Sequence, residues 1–474
     1  MKTAAVFTTF AAIASGLPAN CTQTTCPTAQ EATSFSLTYG IPLLAFQQLY
    51  STQQEGADAP VVNQLVANTE LTTPNDTAVI SPNVDTLYSV VIYDISHQDL
   101  ELVVGDVPAD RYYSVALYTP YGENYVTFGA LTDASAGTYL LTPAQSFNTS
   151  GTVQADSTGR YAGIIHVPNT FGTAMIRILL KNAEGDIAVV NEIQDGFSAA
   201  LVNRTGEPVG PQLTDDVFSN SSSSQPEYIM DLTARFAHMV PKTLGGEIVP
   251  VQTTATLMAA GVDPKSGTYA KPACVNLTQA YTSSQGAMMS AGESNATSTD
   301  LGNGWKMYNS EYIGTYGTHY AIRAYFAQEA YLAMVNTEAL YPFYTESIFS
   351  LGTNESYRMQ FSGKPQLEDV GFWSVTMYSA EGYLFENAID RYTIGDRSNL
   401  TYPDGTLVYG SDVNSTFEVL VQGATPPDEY ISNWLPSPPN GSDFIMLLRY
   451  YAPGDSLRKG DYTFPHLEPG AAVV

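Results

Sequence analysis

The 474-residue chain is poor in cysteine, histidine and positive charge: it has 3 cysteines, 5 histidines and 19 Lys+Arg against 47 Asp+Glu, a formal net charge of −28. Each scarcity excludes something. So few cations cannot neutralise a run of phosphates or hold an anionic headgroup layer, so neither nucleic acid nor a membrane surface is an expected partner. His97, His166, His238, His319 and His466 are scattered without H-x-H or H-E-x-x-H spacing, and no C-x-x-C occurs, which argues against zinc or iron. Calcium needs only oxygens, yet no loop has an EF-hand register. No metal and no cofactor are expected. The G-x-S-x-G elbow of a serine hydrolase is also missing.

Long apolar runs are scarce too. The one at the start, MKTAAVFTTFAAIASG, sets Lys2 before an apolar stretch and the small residues Ala14, Ser15 and Gly16, the layout of a secretory leader. Residues 1–19 are expected to be that leader, cleaved between Gly16 and Ala19, and the mature protein to be secreted and extracellular. Eleven N-x-S/T sequons agree with this route: Asn20, Asn75, Asn148, Asn203, Asn220, Asn276, Asn295, Asn354, Asn399, Asn414 and Asn440. Glycans would place them on the surface. In an oxidising compartment Cys21 and Cys26 are close enough to close a small disulfide loop, leaving Cys274 as the odd thiol; a bridge from Cys274 to one of the first two is the alternative.

What is present is mostly β signal. Residues 20–71 carry Phe35, Leu37, Ile41, Leu44, Phe46 and Leu49 at helical spacing, broken at Gly40 and Pro42, which predicts a short helix pair. Residues 72–213 hold a succession of short apolar runs, LYSVVIYDI, LELVVGDVP, RYYSVALYTP, GTYLLTP, YAGIIHVP, TAMIRILLK and IAVVNEI, separated by Gly, Pro and Asp. They predict a first antiparallel β module. Residues 214–339 begin with the Ser-rich TDDVFSNSSSSQP, expected as an exposed linker, and continue as helix, clearest in HYAIRAYFAQEAYLAMV. TSSQGAMMSAGESNATSTDLGNG reads as a flexible interruption. Residues 340–474 return to strands, FWSVTMYS, GYLFEN, STFEVLVQ and DFIMLLRYYAP, and predict a second β module, a sandwich or jelly roll. The fold class is therefore mainly β with helices.

The modules echo each other, YYSVALYTPYGENYV at 112–126 against FWSVTMYSAEGYLFE at 372–386. Two hairpins with aromatic cross-strand pairs account for this plainly; duplication of one unit is the alternative.

With YGIP at 39–42, SPNVDTLYS at 81–89, DRYYSVAL at 110–117, GTYGTHYAIRA at 314–324, ENAIDRYTIGDR at 386–397 and NWLPSPPNG at 433–441, the chain resembles a two-module family. In that family a domain of unknown function 1254 is followed by a domain of unknown function 1214. The resemblance implies a β-sandwich-like module, a helical segment and a jelly-roll-like module, and it implies no particular activity.

Candidate chemistry is carried by polar groups flanking predicted strands. Asp85, with Arg111 and Arg177 to hold an anion, is the candidate catalytic set; Arg177, inside TAMIRILLK, needs a carboxylate or a ligand, and Asp85 or Glu192 could supply the former. An internal ion pair is the plainer account of the same residues. Asn83, Tyr88, Tyr113, His319, Arg323 and Arg391 are candidate ligand contacts; His319 and Arg323 lie one helical turn apart. Arg391, Tyr392, Arg397, Trp434 and Arg449 stand at strand ends, suited to stacking on a ligand or to packing. The expectation is a secreted glycoprotein binding a small organic or carbohydrate ligand between its modules. Any chemistry there would be cofactor-free acid/base work such as hydrolysis, elimination or cyclisation, as in secondary metabolism. The rival is a non-catalytic extracellular assembly protein, its β edges and jelly roll making homo-oligomer contacts.

Overall fold

The computed structural model describes residues 26–55, 61–76, 81–144, 151–239 and 251–474. The expected leader at residues 1–19, Asn20, Cys21, the side chain of Cys26, Asn148 and the side chain of Asn440 lie outside the described residues, and with them the expected Cys21–Cys26 bridge. Cys274 is free.

The first module is a sandwich of two five-stranded sheets. Its strands are β1 (Val66–Ala67), β2 (Thr86–Asp94), β3 (Asp99–Val104), β4 (Tyr113–Tyr118), β5 (Asn124–Gly129), β6 (Gly137–Pro143), β7 (Thr152–Gln154), β8 (Gly163–Val167), β9 (Phe171–Leu179) and β10 (Ser198–Val202). One sheet runs β1-β2-β9-β4-β5 and the other β10-β3-β6-β8-β7. Between them Leu87, Val91, Val115, Leu117, Ile176 and Ile178 meet Leu100, Leu102, Leu141 and Ile165 in a dry core. The opposite face of the first sheet is also covered, so β2 and β9 read as continuous apolar runs instead of alternating.

Helices cover one end of that face. Helices α1 (Cys26–Gly40) and α2 (Pro42–Gln54) are separated at Ile41, as the proline predicts, since Pro42 has no N–H to give the preceding turn. The longer helices that follow are α3 (Ile187–Gln194), α4 (Gln225–Met239), α5 (Val251–Ala259), α6 (Leu277–Gly292) and α7 (Tyr320–Glu329). Except for α3, they form one layer whose core, with Leu37, Phe46, Ile229 and Phe236, packs on Ile92 and Phe171 of the sheet. The two helical segments are thus one unit, closed by chain ends that are distant in sequence. Gly40 makes the crossing of α1 and α4 close: a Cβ there would sit 1.9 Å from Thr233 Oγ1, which is already bonded to the Ile229 carbonyl at 2.7 Å. Gly40→Ala is expected to lose about 1–3 kcal/mol by overpacking, read as a lower midpoint in chemical denaturation.

The second module stacks a sheet of β11 (Ala339–Leu340), β17 (Phe444–Pro453), β13 (Leu367–Ser379) and β14 (Thr393–Gly395), in that order, on a second sheet. The second sheet is β16 (Trp434–Pro436), β15 (Phe417–Gln422), β12 (Glu355–Phe361) and β18 (His466–Ala471). Trp373, Val375, Met359, Phe361 and Leu448 fill the space between.

Several expectations are corrected. IAVVNEI is helix α3, because Val190 and Ile193 are buried while Val189 and Glu192 face solvent, a helical and not an alternating pattern. The stretch TSSQGAMMSAG is ordered in α6, where Ala280, Ser284 and Met288 repeat every fourth residue on the buried face. The Ser-rich linker buries Phe218 against Phe46 and Tyr50. GYLFEN forms no strand. Helix α7 stops at Glu329, short of the expected Val335: Ala330 leaves helical geometry with φ −157° and ψ 60°, and Leu332 beyond it takes a left-handed conformation with φ 63°.

Candidate functional site at the module interface

The sheets that meet across the seam between the modules repeat one arrangement. In the first, Arg177 of β9 stands opposite Tyr88 of β2 on one side and Ser114 of β4 on the other. In the second, Arg449 of β17 stands opposite Ser374 of β13, and the register Ala339↔Tyr451, Leu340↔Tyr450 brings Tyr341 level with Arg449. Arg177 Nη1 donates to the Tyr118 hydroxyl at 3.2 Å, and Arg449 Nη2 donates to the Tyr378 hydroxyl at 2.9 Å. Each tyrosine is four residues past the matching serine. Asp85 precedes Tyr88 by three residues, as Glu338 precedes Tyr341. The Asp85 carbonyl accepts from the Leu180 N–H at 2.9 Å, and the Glu338 carbonyl accepts from the Ala452 N–H at 2.8 Å.

These matching faces look at each other. Tyr112 meets Phe372 edge-on at 5.5 Å between centroids, and Phe372 stacks on Tyr451 at 4.4 Å. Each carboxylate reaches across the seam: Asp85 Oδ2 accepts from Ser374 Oγ at 2.6 Å, and Glu338 Oε2 accepts from the Tyr112 hydroxyl at 3.0 Å. The echo between the modules is therefore one of strand register, more than two unrelated hairpins would produce.

The two carboxylates nevertheless differ. Asp85 is fully buried and paired with Arg397, its own N–H donates to Asn83 Oδ1 at 2.6 Å, and Arg397 also donates to the Leu180 carbonyl at 2.8 Å. Asp396, 3.7 Å from Arg397, is pushed up to about 6 by burial, only partly offset by the guanidinium. Asp85 is thus a sealed anchor and not a free base. Glu338 has no cation within 4 Å among the described residues. Burial raises its carboxyl above the usual range, with the Tyr112 hydroxyl and the charge of Arg177 pulling back in part. It lines a cleft of about 440 Å3 with Asn124 and Thr127 of β5, Thr315, Glu368 and Arg458.

Arg177 is 6 % exposed and has no carboxylate within 4 Å among the described residues. Its second bond, 3.1 Å, goes from Nη2 to the Leu332 carbonyl, and its charge lies 5.5 Å from the centroid of Tyr88. Burial alone would depress its pKa; the surrounding oxygens of Tyr118, Tyr88, Tyr341 and Tyr451 overcome this and raise it. Arg449, 5 % exposed, likewise lacks a carboxylate partner; Nη1 donates to Thr376 Oγ1 at 2.8 Å and Nη2 to the Ser81 carbonyl at 3.3 Å. Tyr341 and Tyr451 both sense both guanidiniums. Tyr88, Tyr341 and Asn83 keep part of their surface in solvent, so this polar cluster reaches the surface. Three of the left-handed non-glycine residues serve it: Leu332 (φ 63°) and Ser81 (φ 51°) present carbonyls to the arginines, and Ala452 (φ 48°) presents its N–H to Glu338. Such conformations cost about 1–3 kcal/mol each and persist where the surroundings over-determine them.

The other sequence candidates lie elsewhere. Arg111 forks onto both Asp186 oxygens and the Leu179 carbonyl, tying the end of β9 to the start of α3. It is structural, as is Arg391, which donates to the Ile431 and Trp434 carbonyls at 2.6 and 2.7 Å. Tyr113 points into the first sandwich. His319 is exposed, edge-on to Tyr312 at 4.8 Å on the rim of a groove of about 620 Å3 between α1, α6 and α7. Arg323 turns inward, fully buried among the rings of Tyr39, Tyr121 and Tyr320 at 4.6–4.9 Å, so the two do not share a ligand face. Of the expected set, Asp85, Asn83, Tyr88 and Arg177 meet at the seam. Arg449, expected only as a stacking or packing residue, joins them, while Glu338 and Tyr341 were not expected as a site. Their signal is a second copy of the landmark, since Asn336-Thr337-Glu338-Ala339-Leu340-Tyr341 repeats Asn83-Val84-Asp85-Thr86-Leu87-Tyr88 as N-x-acid-x-L-Y.

Residues 62–200 match "Protein of unknown function (DUF1254)" and residues 340–455 match "Protein of unknown function (DUF1214)". No curated protein matches the chain. Among solved structures, the VPA0106 protein from Vibrio parahaemolyticus shares the fold, with TM-score 0.60 and 16 % identity over 94 % of this chain and 99 % of that one. An uncharacterized protein from Burkholderia cenocepacia gives TM-score 0.42 and 11 % identity over 94 % and 96 %.

Proposed function

The chain belongs to the family in which a DUF1254 module is followed by a DUF1214 module, and we propose that it binds a small organic ligand at the seam between them, with Glu338 transferring a proton. The observation that carries this is the divergence of two matching carboxylates. Asp85 is neutralised by Arg397, whereas Glu338 has no cation within 4 Å among the described residues, borders a cleft and has a raised pKa. A carboxyl held above the ordinary glutamate range by burial keeps its proton to a higher pH than an exposed one, and can donate it to a carbonyl or leaving-group oxygen and take it back, without metal or cofactor. Hydrolysis, elimination and cyclisation all fit that capacity. Secretion as a glycoprotein is part of the same proposal: the described sequon residues Asn75, Asn203, Asn220, Asn276, Asn295, Asn354, Asn399 and Asn414 are all exposed, and the acidic balance would keep such a chain in solution.

The test is a thermal-shift and turnover screen of the full chain against culture metabolites and oligosaccharides, beside Glu338→Gln. The near-isosteric amide is expected to leave the fold intact and to lower any turnover about 10²–10⁴-fold. It should also change the pH profile of stability. Because the folded pKa of Glu338 is raised, the native state holds the proton longer, and its contribution declines as pH rises from the ordinary glutamate range through the folded value. Glu338→Gln should remove that decline. Unchanged turnover in the variant would overturn the role of Glu338, and indifference of the wild type to every compound would put the assembly reading ahead.

A further inference from the structure

Arg177 and Arg449 are buried cations with no carboxylate within 4 Å among the described residues. Among the described residues, Arg177 commits two of its five N–H donors, to Tyr118 and Leu332, and Arg449 commits three, to Thr376, Ser81 and Tyr378. Asp85, whose charge acts on Arg449, is already held by Arg397, and Glu338, whose carboxyl feels the charge of Arg177, is biased toward its neutral form by burial. Withdrawing a guanidinium from water without an anion is costly, several kcal/mol per ion. Two such groups in a protein of net charge −28 are therefore a local exception that long-range electrostatics does not explain.

Resting on the ligand-binding reading above, we propose that the seam binds a small dicarboxylic acid as its dianion, one carboxylate at Arg177 and the other at Arg449. Arg177 keeps three free N–H donors and Arg449 keeps two, on Nε and Nη1, since both Nη2 hydrogens of Arg449 go to Ser81 and Tyr378; each end can therefore give charge-assisted hydrogen bonds to a carboxylate. The two arginines occupy matching positions in matching sheets, so a ligand with two like ends meets two like sites. Tyr341 lies level with Arg449 in the strand register, Tyr451 accepts from Asn83 Nδ2 at 2.6 Å across the seam, and the part-exposed Tyr88 and Tyr341 reach the surface beside them. Thr86 Oγ1, buried on the same face of β2 as Tyr88 and without a partner, is a further donor there. A neutral sugar would leave both charges uncompensated, so the diacid is favoured over a carbohydrate.

The experiment is calorimetric titration of the full chain with succinate, adipate and phthalate, beside butyrate, benzoate, the corresponding diamides and inorganic phosphate. At least one diacid is expected to bind at least tenfold more tightly than its monoacid and its diamide. Arg177→Met and Arg449→Met should each reduce it to the monoacid level. If Arg449→Met melts out, Arg449→Lys, which keeps the charge and loses the fixed Nε and Nη1 donors, should weaken the diacid and leave the monoacid unchanged. Equal affinity for diacid and diamide, loss confined to one arginine, or phosphate binding as tightly as any diacid would overturn the proposal. If instead neutral metabolites bind and turn over in a manner dependent on Glu338, the diacid fails while the proton-transfer reading stands.

Discussion

Asp85→Ala should destabilise the protein by about 3–5 kcal/mol, the loss expected when one partner of a buried ion pair is removed and the other stays behind. Asp85 is completely enclosed, and its removal strips Arg397 of its charge partner and Ser374 Oγ of its acceptor in one step. Both partners lie in the second module, so the damage falls on the seam. The measurement is equilibrium denaturation of wild type, Asp85→Ala, Arg397→Met and the double variant. The double variant is expected to recover part of the single loss, because two apolar groups leave no stranded charge; strict additivity would show that the pair contributes nothing as a pair. Tyr112, Phe372 and Tyr451 stay stacked beside it, which keeps the modules associated while the pair is probed.

Arg177→Met should do the opposite in the absence of ligand, leaving the midpoint of unfolding unchanged or raising it. Removing a buried cation that lacks a carboxylate relieves several kcal/mol of desolvation. Against this stands the orphaning of the Tyr118 hydroxyl and the Leu332 carbonyl, about 1–3 kcal/mol for a buried polar group left unsatisfied. Stability held with ligand binding lost is the signature of a residue retained for function. If Arg177→Met unfolds as readily as Asp85→Ala, Arg177 is structural and the seam loses its strongest indication of an anion.

Much of the architecture was readable from local pattern. Apolar runs punctuated by Gly, Pro and Asp marked two β modules, and Gly40-Ile41-Pro42 marked the break in the first helix pair, because these features act over a few residues and need no partner. Errors came where burial decided: IAVVNEI is rich in β-branched residues yet forms α3, since only its 187, 190 and 193 stripe meets the sandwich. Helix α7 was extended too far because its break at Ala330 leads into a left-handed turn whose Leu332 carbonyl meets Arg177, a residue 155 positions away.

The sequence alone determined the acidic surface, the absence of metal-ligand spacing, the two-module order and the prominence of Asn83-Val84-Asp85-Thr86-Leu87-Tyr88. Tertiary structure decided which acid is sealed and which is open. Asp85 and Glu338 occupy matching places in matching strands, and what separates them is Arg397, which the loop after β14 delivers to one and not to the other. Charge compensation in a low-dielectric seam depends on distances of a few ångströms between residues 312 apart in the chain, and no local pattern encodes them.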